Sequence, residues 1–283
     1  MRQYLDLIEK IFAIGVKEKG RNGNTISIFG ETMRFPLDNL PMITTKKVSF
    51  KTILEELLWF IRGETNNHLL KEKGVHIWDA NASRAFLDSV GLNYQEDDLG
   101  PIYGHQWRHF NAPYSSCHED YSGKGIDQLQ NIIDCLKDPE RRTSRRLVMS
   151  AWNPCQLDEM ALPPCHVLTH FNVSGDKLSC ILYQRSADVG LGMPYNITSY
   201  SILTCLLAHH CDLVAGDFIY MIGNAHIYEE HVDSLKMQIK RDPLPLPTMR
   251  ILNKYENIND YTSNDFELIE YQSHETIKMK MIA

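Results

Sequence analysis

The chain has 283 residues, of which 43% are apolar, 23% charged and 10% aromatic, the make-up of a globular protein long enough to bury a sizeable core. No run of about 18 or more apolar residues argues for a membrane span, and a formal charge of −7 argues against a dedicated polyanion binder. Seven cysteines, an odd number with no C-x-x-C pair, disfavour a disulfide framework and a structural zinc site and point to a reducing, cytoplasmic compartment.

Tyr4, Leu5, Leu7, Ile8, Ile11, Phe12 and Ile14 recur at helical spacing and predict an amphipathic helix over residues 2–18, rather than a signal peptide. Residues 19–24 predict a turn-rich loop and residues 25–29 a strand. Residues 49–62 predict a strongly apolar helix, capped by Ser49 and stopped at Gly63. Glu56 is its misfit: a carboxylate beside Leu57, Leu58 and Trp59 is either turned to water or held in a pocket. Residues 82–98 read as an exposed acidic helix and loop, residues 100–110 as an aromatic-rich loop, and residues 126–136 as an amphipathic helix ended by Asp138-Pro139. Strands are expected at 147–152, 177–183 and 218–221, a buried helix at 197–215, and a further helix from Glu229 onward. A stiff proline connector over 242–247 leads to two short peripheral strands near 248–252 and 266–271. With no repeat, low-complexity tract or linker, the pattern predicts a single α+β domain over residues 1–283.

The densest chemistry lies between residues 145 and 200. Cys165 follows Pro163-Pro164, a stiff turn that would present it at a strand end, and a cysteine acts as nucleophile only as thiolate. His166 adjoins it, but neighbours on an extended chain point to opposite faces, so a Cys–His dyad is a weak reading. Cys180, Cys205 and Cys211 lie in apolar segments and read as packing residues. Arg145, Arg146, Arg185 and Arg21 are planar forks suited to phosphate, with Ser186 adding a hydroxyl; for Arg21 a solvated loop charge is an equal reading. Four arginines on a net-acidic chain suggest one small dianionic ligand. Asn196 carries the donor and acceptor needed to read an amide edge. The residues alone reach a phosphate-bearing, heterocyclic substrate attacked by a cysteine, and stop there.

At these positions the chain resembles the thymidylate synthases. M-A-L-P-P-C-H (160–166) is similar to the family's nucleophile motif and Q-R-S-A-D-V-G-L-G-M-P-Y-N (184–196) to its substrate signature. E-E-L-L-W-F-I-R-G-E-T-N (55–66), I-W-D-A-N (77–81), G-P-I-Y-G-H-Q-W-R (100–108), R-R-L-V-M-S-A-W-N-P (145–154) and H-I-Y (226–228) agree in order. The resemblance implies the family's fold, a large mixed sheet flanked by helices, with the sheets of two subunits packed back to back in a homodimer. It implies reductive methylation of dUMP to dTMP with 5,10-methylenetetrahydrofolate as co-substrate, and no metal. Cys165 would add to C6 of the uracil ring, Glu56 would manage proton transfers through ordered water, and Tyr103 would assist loss of the C5 proton. Arg21, Arg185 and Ser186 would hold the phosphate, with Arg145 and Arg146 reaching in from the other subunit. Asn196 would read the N3/O4 edge, Asp188 would border both ligands, and His226 and Tyr228 would hold the 3′-hydroxyl. Folate would lie near Trp78, Asp188, Leu191 and Gly192, with Lys46 in the mouth for the glutamate tail and Ala283 at the closing C-terminal segment.

Departures from the family pattern accompany the match. The Arg21 loop looks one residue short, Asn224 stands where aspartate is usual, His170 and Asn172 replace commoner Gln and aromatic residues, and Ala283 replaces a bulkier closing residue, which leaves Ile282 to compensate. A deoxycytidylate hydroxymethylase on the same fold is the nearest rival; its members carry Asp where this chain has Asn196. An RNA-binding regulator, including one that binds its own messenger RNA, and a thiol hydrolase with a histidine set against Cys165 are the others. A nuclear pool beside the cytoplasmic one stays open.

Overall fold

The computed structural model describes residues 1–20 and 22–282; Arg21 and Ala283, both named above, lie outside the described residues. The chain runs α1 (Arg2–Ile14), β1 (Val16–Gly20), β2 (Gly23–Pro36), α2 (Phe50–Ile61), the short α3 (His68–Lys71), α4 (Asp79–Ala82) and α5 (Arg84–Ser89), then α6 (Tyr103–His109) and α7 (Gln128–Lys137). It continues with β3 (Val148–Ser150), β4 (His166–Ser174), β5 (Lys177–Asp188), α8 (Gly192–His210), β6 (Val214–Tyr228), α9 (Val232–Gln238), β7 (Thr248–Ile251) and β8 (Phe266–Ile269). Among the described residues six strands form one sheet in the order β1-β2-β6-β5-β4-β3, and β7 pairs only with β8. Neighbours are antiparallel except β5 and β6, whose parallel register needs the long crossover that α8 supplies. The α+β class with a large mixed sheet flanked by helices is therefore as expected.

Alternation sets the two faces of the sheet. Phe171, Leu178, Cys180, Leu182, Phe218 and Tyr220 are fully buried, and Tyr200 of α8 stacks on Phe218 with ring centroids 6.4 Å apart. On the other face, Val148, His170, Ile181 and Ile219 form one cross-strand row, and Leu168, Tyr183 and Met221 the next. Val148, Tyr183 and Met221 stay 38–40% exposed. Among the described residues no helix covers that side as α8 covers the first. α8 itself is apolar on nearly every side because it sits between the sheet and α2.

Several boundaries differ from the sequence reading, each for a local reason. α1 stops at Ile14, not at residue 18, because Gly15 turns extended; a Cβ there would meet the Ile11 carbonyl oxygen at 2.4 Å and Ile26 Cγ2 at 2.7 Å. Val16 then opens a strand that pairs with β2, so the expected loop at 19–24 is largely strand, with Gly20 opposite Gly23. Residues 103–109 are helical rather than loop, starting just after Pro101. α8 begins five residues earlier than expected, since Pro194 is tolerated in a first helical turn, and ends at His210 where Asp212 adopts a left-handed φ of 56°. The strand β4 had no clear sequence signal, because its two histidines and Asn172 blur the alternation of Thr169, Phe171 and Val173. The cap of Ser49 on Thr52 N and the stop at Gly63, with φ 78°, are as read.

Candidate active site

One cavity of about 300 Å³ opens where α2, α6, the start of β4, the end of β5 and the start of α8 converge. Its wall includes Glu56, Trp78, Tyr103, Cys165, His166 and Asn196. Ser186, Asp188, Leu191 and Gly192 line it too, so ten of the residues singled out or weighed above meet there.

Cys165 is held by backbone and side chain alike. Its N–H donates to Tyr103 Oη at 2.8 Å, its carbonyl accepts from Arg185 N at 3.0 Å, and it directly precedes β4. The Arg185 guanidinium reaches back over the same loop, donating from Nε to the Pro164 carbonyl at 2.8 Å and from a terminal nitrogen to Pro163 at 2.9 Å. It also stacks 5.5 Å over the Trp152 ring. Among the described residues no carboxylate pairs with this cation. Burial pushes the Cys165 thiol above its ordinary value, and Arg185 pulls only partly against that. The ligand-free cysteine is thus a thiol beside an uncompensated positive charge.

Glu56 is not solvated, which decides between the two readings left open for it in favour of the pocket. It is 8% exposed, and Trp78 Nε1 donates to its Oε1 at 2.7 Å. Burial raises its carboxyl from 4.5 to about 7, with the Trp78 bond opposing. A carboxyl at that value is protonated and ionised in comparable amounts near neutrality, the condition for moving a proton in either direction. Helix α2 carries it into the cavity wall beside the buried Leu57, Leu58 and Trp59, and α6 packs close enough to bring Tyr103 in because Gly104 has no side chain. A Cβ there would lie 2.8 Å from the Glu64 carbonyl oxygen.

His166 does not serve Cys165 as a base. Its ring is pressed against Tyr103 and Tyr200, at 4.9 and 5.2 Å between centroids, and burial lowers it to about 4, with an Asn196 bond opposing. Among the described residues no histidine hydrogen-bonds the thiol, which removes the geometric ground for a thiol hydrolase.

Asn196 is oriented by residues to which the sequence reading assigned no role. Tyr220 Oη donates to Gln184 Oε1 at 2.6 Å, which fixes Gln184 so that its Nε2 donates to Asn196 Oδ1 at 3.1 Å. That leaves the Asn196 Nδ2 donor for a carbonyl edge. The signal for Gln184 was present: it continues the inward series Leu178, Cys180, Leu182, where a polar residue needs a reason. Asn81, Leu162, Tyr195 and Met281 are further wall residues without a prior assignment.

The remaining expected residues stand outside this cavity. His226 is half-buried, with Nδ1 3.0 Å from Asn224 Oδ1 and its ring 5.1 Å from that of Tyr228; it pairs in register with Asp188. Lys46 is not at an open mouth. It is 4% exposed, Nζ donates to the Gly190 carbonyl at 2.5 Å, and burial lowers it to about 8 against the pull of Asp188. Arg145 and Arg146 are exposed at the sheet edge before β3, with no side-chain partner among the described residues. Arg21 and Ala283 lie outside the described residues. Among those described, no group of His, Cys, Asp and Glu stands ready to hold a metal, and no helix is long and apolar enough to cross a membrane.

A family model described as thymidylate synthase matches residues 2–283. The chain is 53% identical over 282 residues to the bifunctional dihydrofolate reductase-thymidylate synthase of Paramecium tetraurelia, covering 99% of this chain and 60% of that protein. It is 52% identical to the bifunctional protein of Zea mays, of which it covers 54%, and 53% identical to human thymidylate synthase, of which it covers 90%. The chain therefore spans little more than half the length of the bifunctional relatives it matches.

Proposed function

Since the chain belongs to the thymidylate synthase family, we propose that it converts dUMP to dTMP by reductive methylation, with Cys165 as nucleophile. The observation that carries this reading is the convergence on one cavity of a thiol, a carboxyl near 7 and an oriented amide. 5,10-Methylenetetrahydrofolate supplies the one-carbon unit and the hydride, and leaves as dihydrofolate. The wall of Ile77, Trp78, Leu191 and Met281 suits its flat ring, and Asp188 suits that ring's N–H donors.

In this reading the phosphate draws on Arg185, Ser186 and Arg21, and the uracil O4 faces Asn196 Nδ2. Cys165 loses its proton to water as Sγ bonds to C6, and the ring electrons move toward C5 and O4, where the Asn196 amide steadies the developing charge. Glu56 delivers and retrieves protons at O4 through water, and Tyr103, whose oxygen already accepts from Cys165 N, orients the water that takes the C5 proton. The donor left on Asn196 favours uracil over cytosine, which presents an amine at the same edge. His226 and Tyr228 hold the 3′-hydroxyl.

A homodimer joined through the bare sheet face completes the reading. It is supported by the exposed row of Val148, Tyr183 and Met221 and by the unpartnered Arg145 and Arg146 at that edge, free to enter a second subunit's site. His170 and Asn172, the departures noted in the sequence, lie in β4 on this same face. One continuous core from Tyr4 to Phe266 supports a single domain, and seven unpaired cysteines support a reducing, cytoplasmic setting.

Incubation with 5-fluoro-dUMP and methylenetetrahydrofolate tests the assignment, because fluorine at C5 does not leave as the proton does. A covalent ternary adduct on wild type and none on Cys165→Ala, read by intact-protein mass spectrometry, is expected. No adduct on folded wild type would overturn it.

A further inference from the structure

His231 is fully buried at the start of α9, and its ring faces two parts of the molecule, the cavity rim and the C-terminal segment. Nε2 lies 2.7 Å from the carbonyl of Lys280, in the extended C-terminal segment. Nδ1 faces Asp188 Oδ1 at 3.7 Å, an ion-pair rather than a hydrogen-bond distance. That same carboxylate oxygen accepts from Gly190 N at 2.8 Å and Leu191 N at 3.3 Å, which folds the turn at the cavity rim. Gly190 is there because nothing larger fits: a Cβ would come within 2.7 Å of His231 Nδ1 and 3.2 Å of Met279 Sδ. Lys46 closes the cluster through the Gly190 carbonyl and the Met279 sulfur. One residue beyond Lys280, Met281 forms part of the cavity wall.

We propose that His231 is a positioning residue that couples the rim turn 188–192 to the C-terminal segment, so that Met281 takes its place in the folate half of the cavity only while this imidazole bridges the two. The inference rests on the proposed activity for its kinetic part. Removing the bridge frees the segment without touching Cys165, Glu56 or Asn196, so folate binding suffers and nucleotide binding does not. Burial works against charge on the ring, but Asp188 and the Lys280 carbonyl outweigh it, against Lys46, and hold the imidazole above its ordinary value. A protonated ring donates from Nε2 to the Lys280 carbonyl and sets its charge against Asp188 across 3.7 Å. His226 and Tyr228 are the other polar neighbours, with the Tyr228 ring 5.7 Å from that of His231.

The test uses the full chain. In His231→Ala, tryptic cleavage after the exposed Lys278 and Lys280, followed by mass, should quicken about tenfold in the ligand-free protein, the worth of one charge-assisted hydrogen bond. The folate KM should rise by a similar factor while the dUMP dissociation constant stays within about twofold, which also certifies the fold. His231→Gln, which keeps a donor for Lys280, should recover most of the protection. Gly190→Ala should loosen the segment from the opposite side. Unchanged cleavage in both His231→Ala and Gly190→Ala overturns the tether, and faster cleavage with an unchanged folate KM overturns the coupling. A wild type that makes no dTMP sinks the activity reading, while the cleavage comparison still decides the tether.

Discussion

The two faces of the six-stranded sheet are built from the same strands yet differ in self-sufficiency. One is sealed by α8, with Phe171, Leu182 and Phe218 fully buried, and at its margin the strand ends carry a cavity whose polar groups already hold one another in place. The other shows Val148, Tyr183 and Met221 to solvent and carries two unpartnered arginines at its edge. A half-solvated sheet is ordinarily polar on its wet side, so the apolar row fits the homodimer proposed above. Under the proposed function, the difference means that one chain holds the bond-making groups around Cys165, whereas Arg145 and Arg146 would complete the phosphate site only from a second subunit.

The strongest way to break the covered half is at the nucleophile. Cys165→Ala should lower turnover by roughly 10⁴-fold or more while leaving the melting temperature and the assembly state near wild type, as steady-state assay, calorimetry and sedimentation would read. Glu56→Gln comes next, with turnover down roughly 10²- to 10⁴-fold. Its stability should move the other way. The wild-type carboxyl, raised from 4.5 to about 7, carries no penalty below pH 4.5, a growing one between 4.5 and 7, and a constant one above 7. The variant should therefore match wild type at pH 4 and exceed it by about 3 kcal/mol at pH 8, 2.5 pH units' worth. Equal denaturation midpoints at pH 8 would contradict the buried setting of this carboxyl.

Breaking the bare face separates the two halves. If the proposed dimer forms, Met221→Asp should give a folded monomer by analytical ultracentrifugation whose Cys165 still reacts with alkylating reagents, yet whose turnover falls roughly 10²-fold because Arg145 and Arg146 no longer reach a second site. A monomer with full turnover would dissolve the contrast. The smallest effect sharpens it within the cavity. Tyr220→Phe removes the donor that fixes Gln184, and dUMP affinity should fall about fivefold, near 1 kcal/mol. An unchanged affinity would mean that Asn196 needs no such orientation.

Much of this was legible in the residues because the governing signals are local. Period and capping located α2, with Ser49 and Gly63 at its ends. Motif order singled out Cys165, Arg185, Ser186 and Asn196. The unread parts depended on distant neighbours. Whether Glu56 meets water or Trp78 is settled by residues 22 positions apart in the chain. Lys46 was placed by the resemblance at an open mouth, because nothing beside it in sequence announces Gly190, 144 residues on.

By itself the sequence determined the α+β class, the helices at α1, α2, α7 and α8 and several of the strands, and which side chains have the chemistry to attack and to hold a dianion; the mixed, helix-flanked sheet followed from the family resemblance. Only the tertiary structure decided that burial raises Glu56 to about 7, that His166 is lowered to about 4 between two tyrosine rings, and that Gln184 aims Asn196. The physical reason is one of range. Propensity and periodicity act over a few residues, while desolvation and hydrogen-bond orientation depend on what the whole fold brings within a few ångströms.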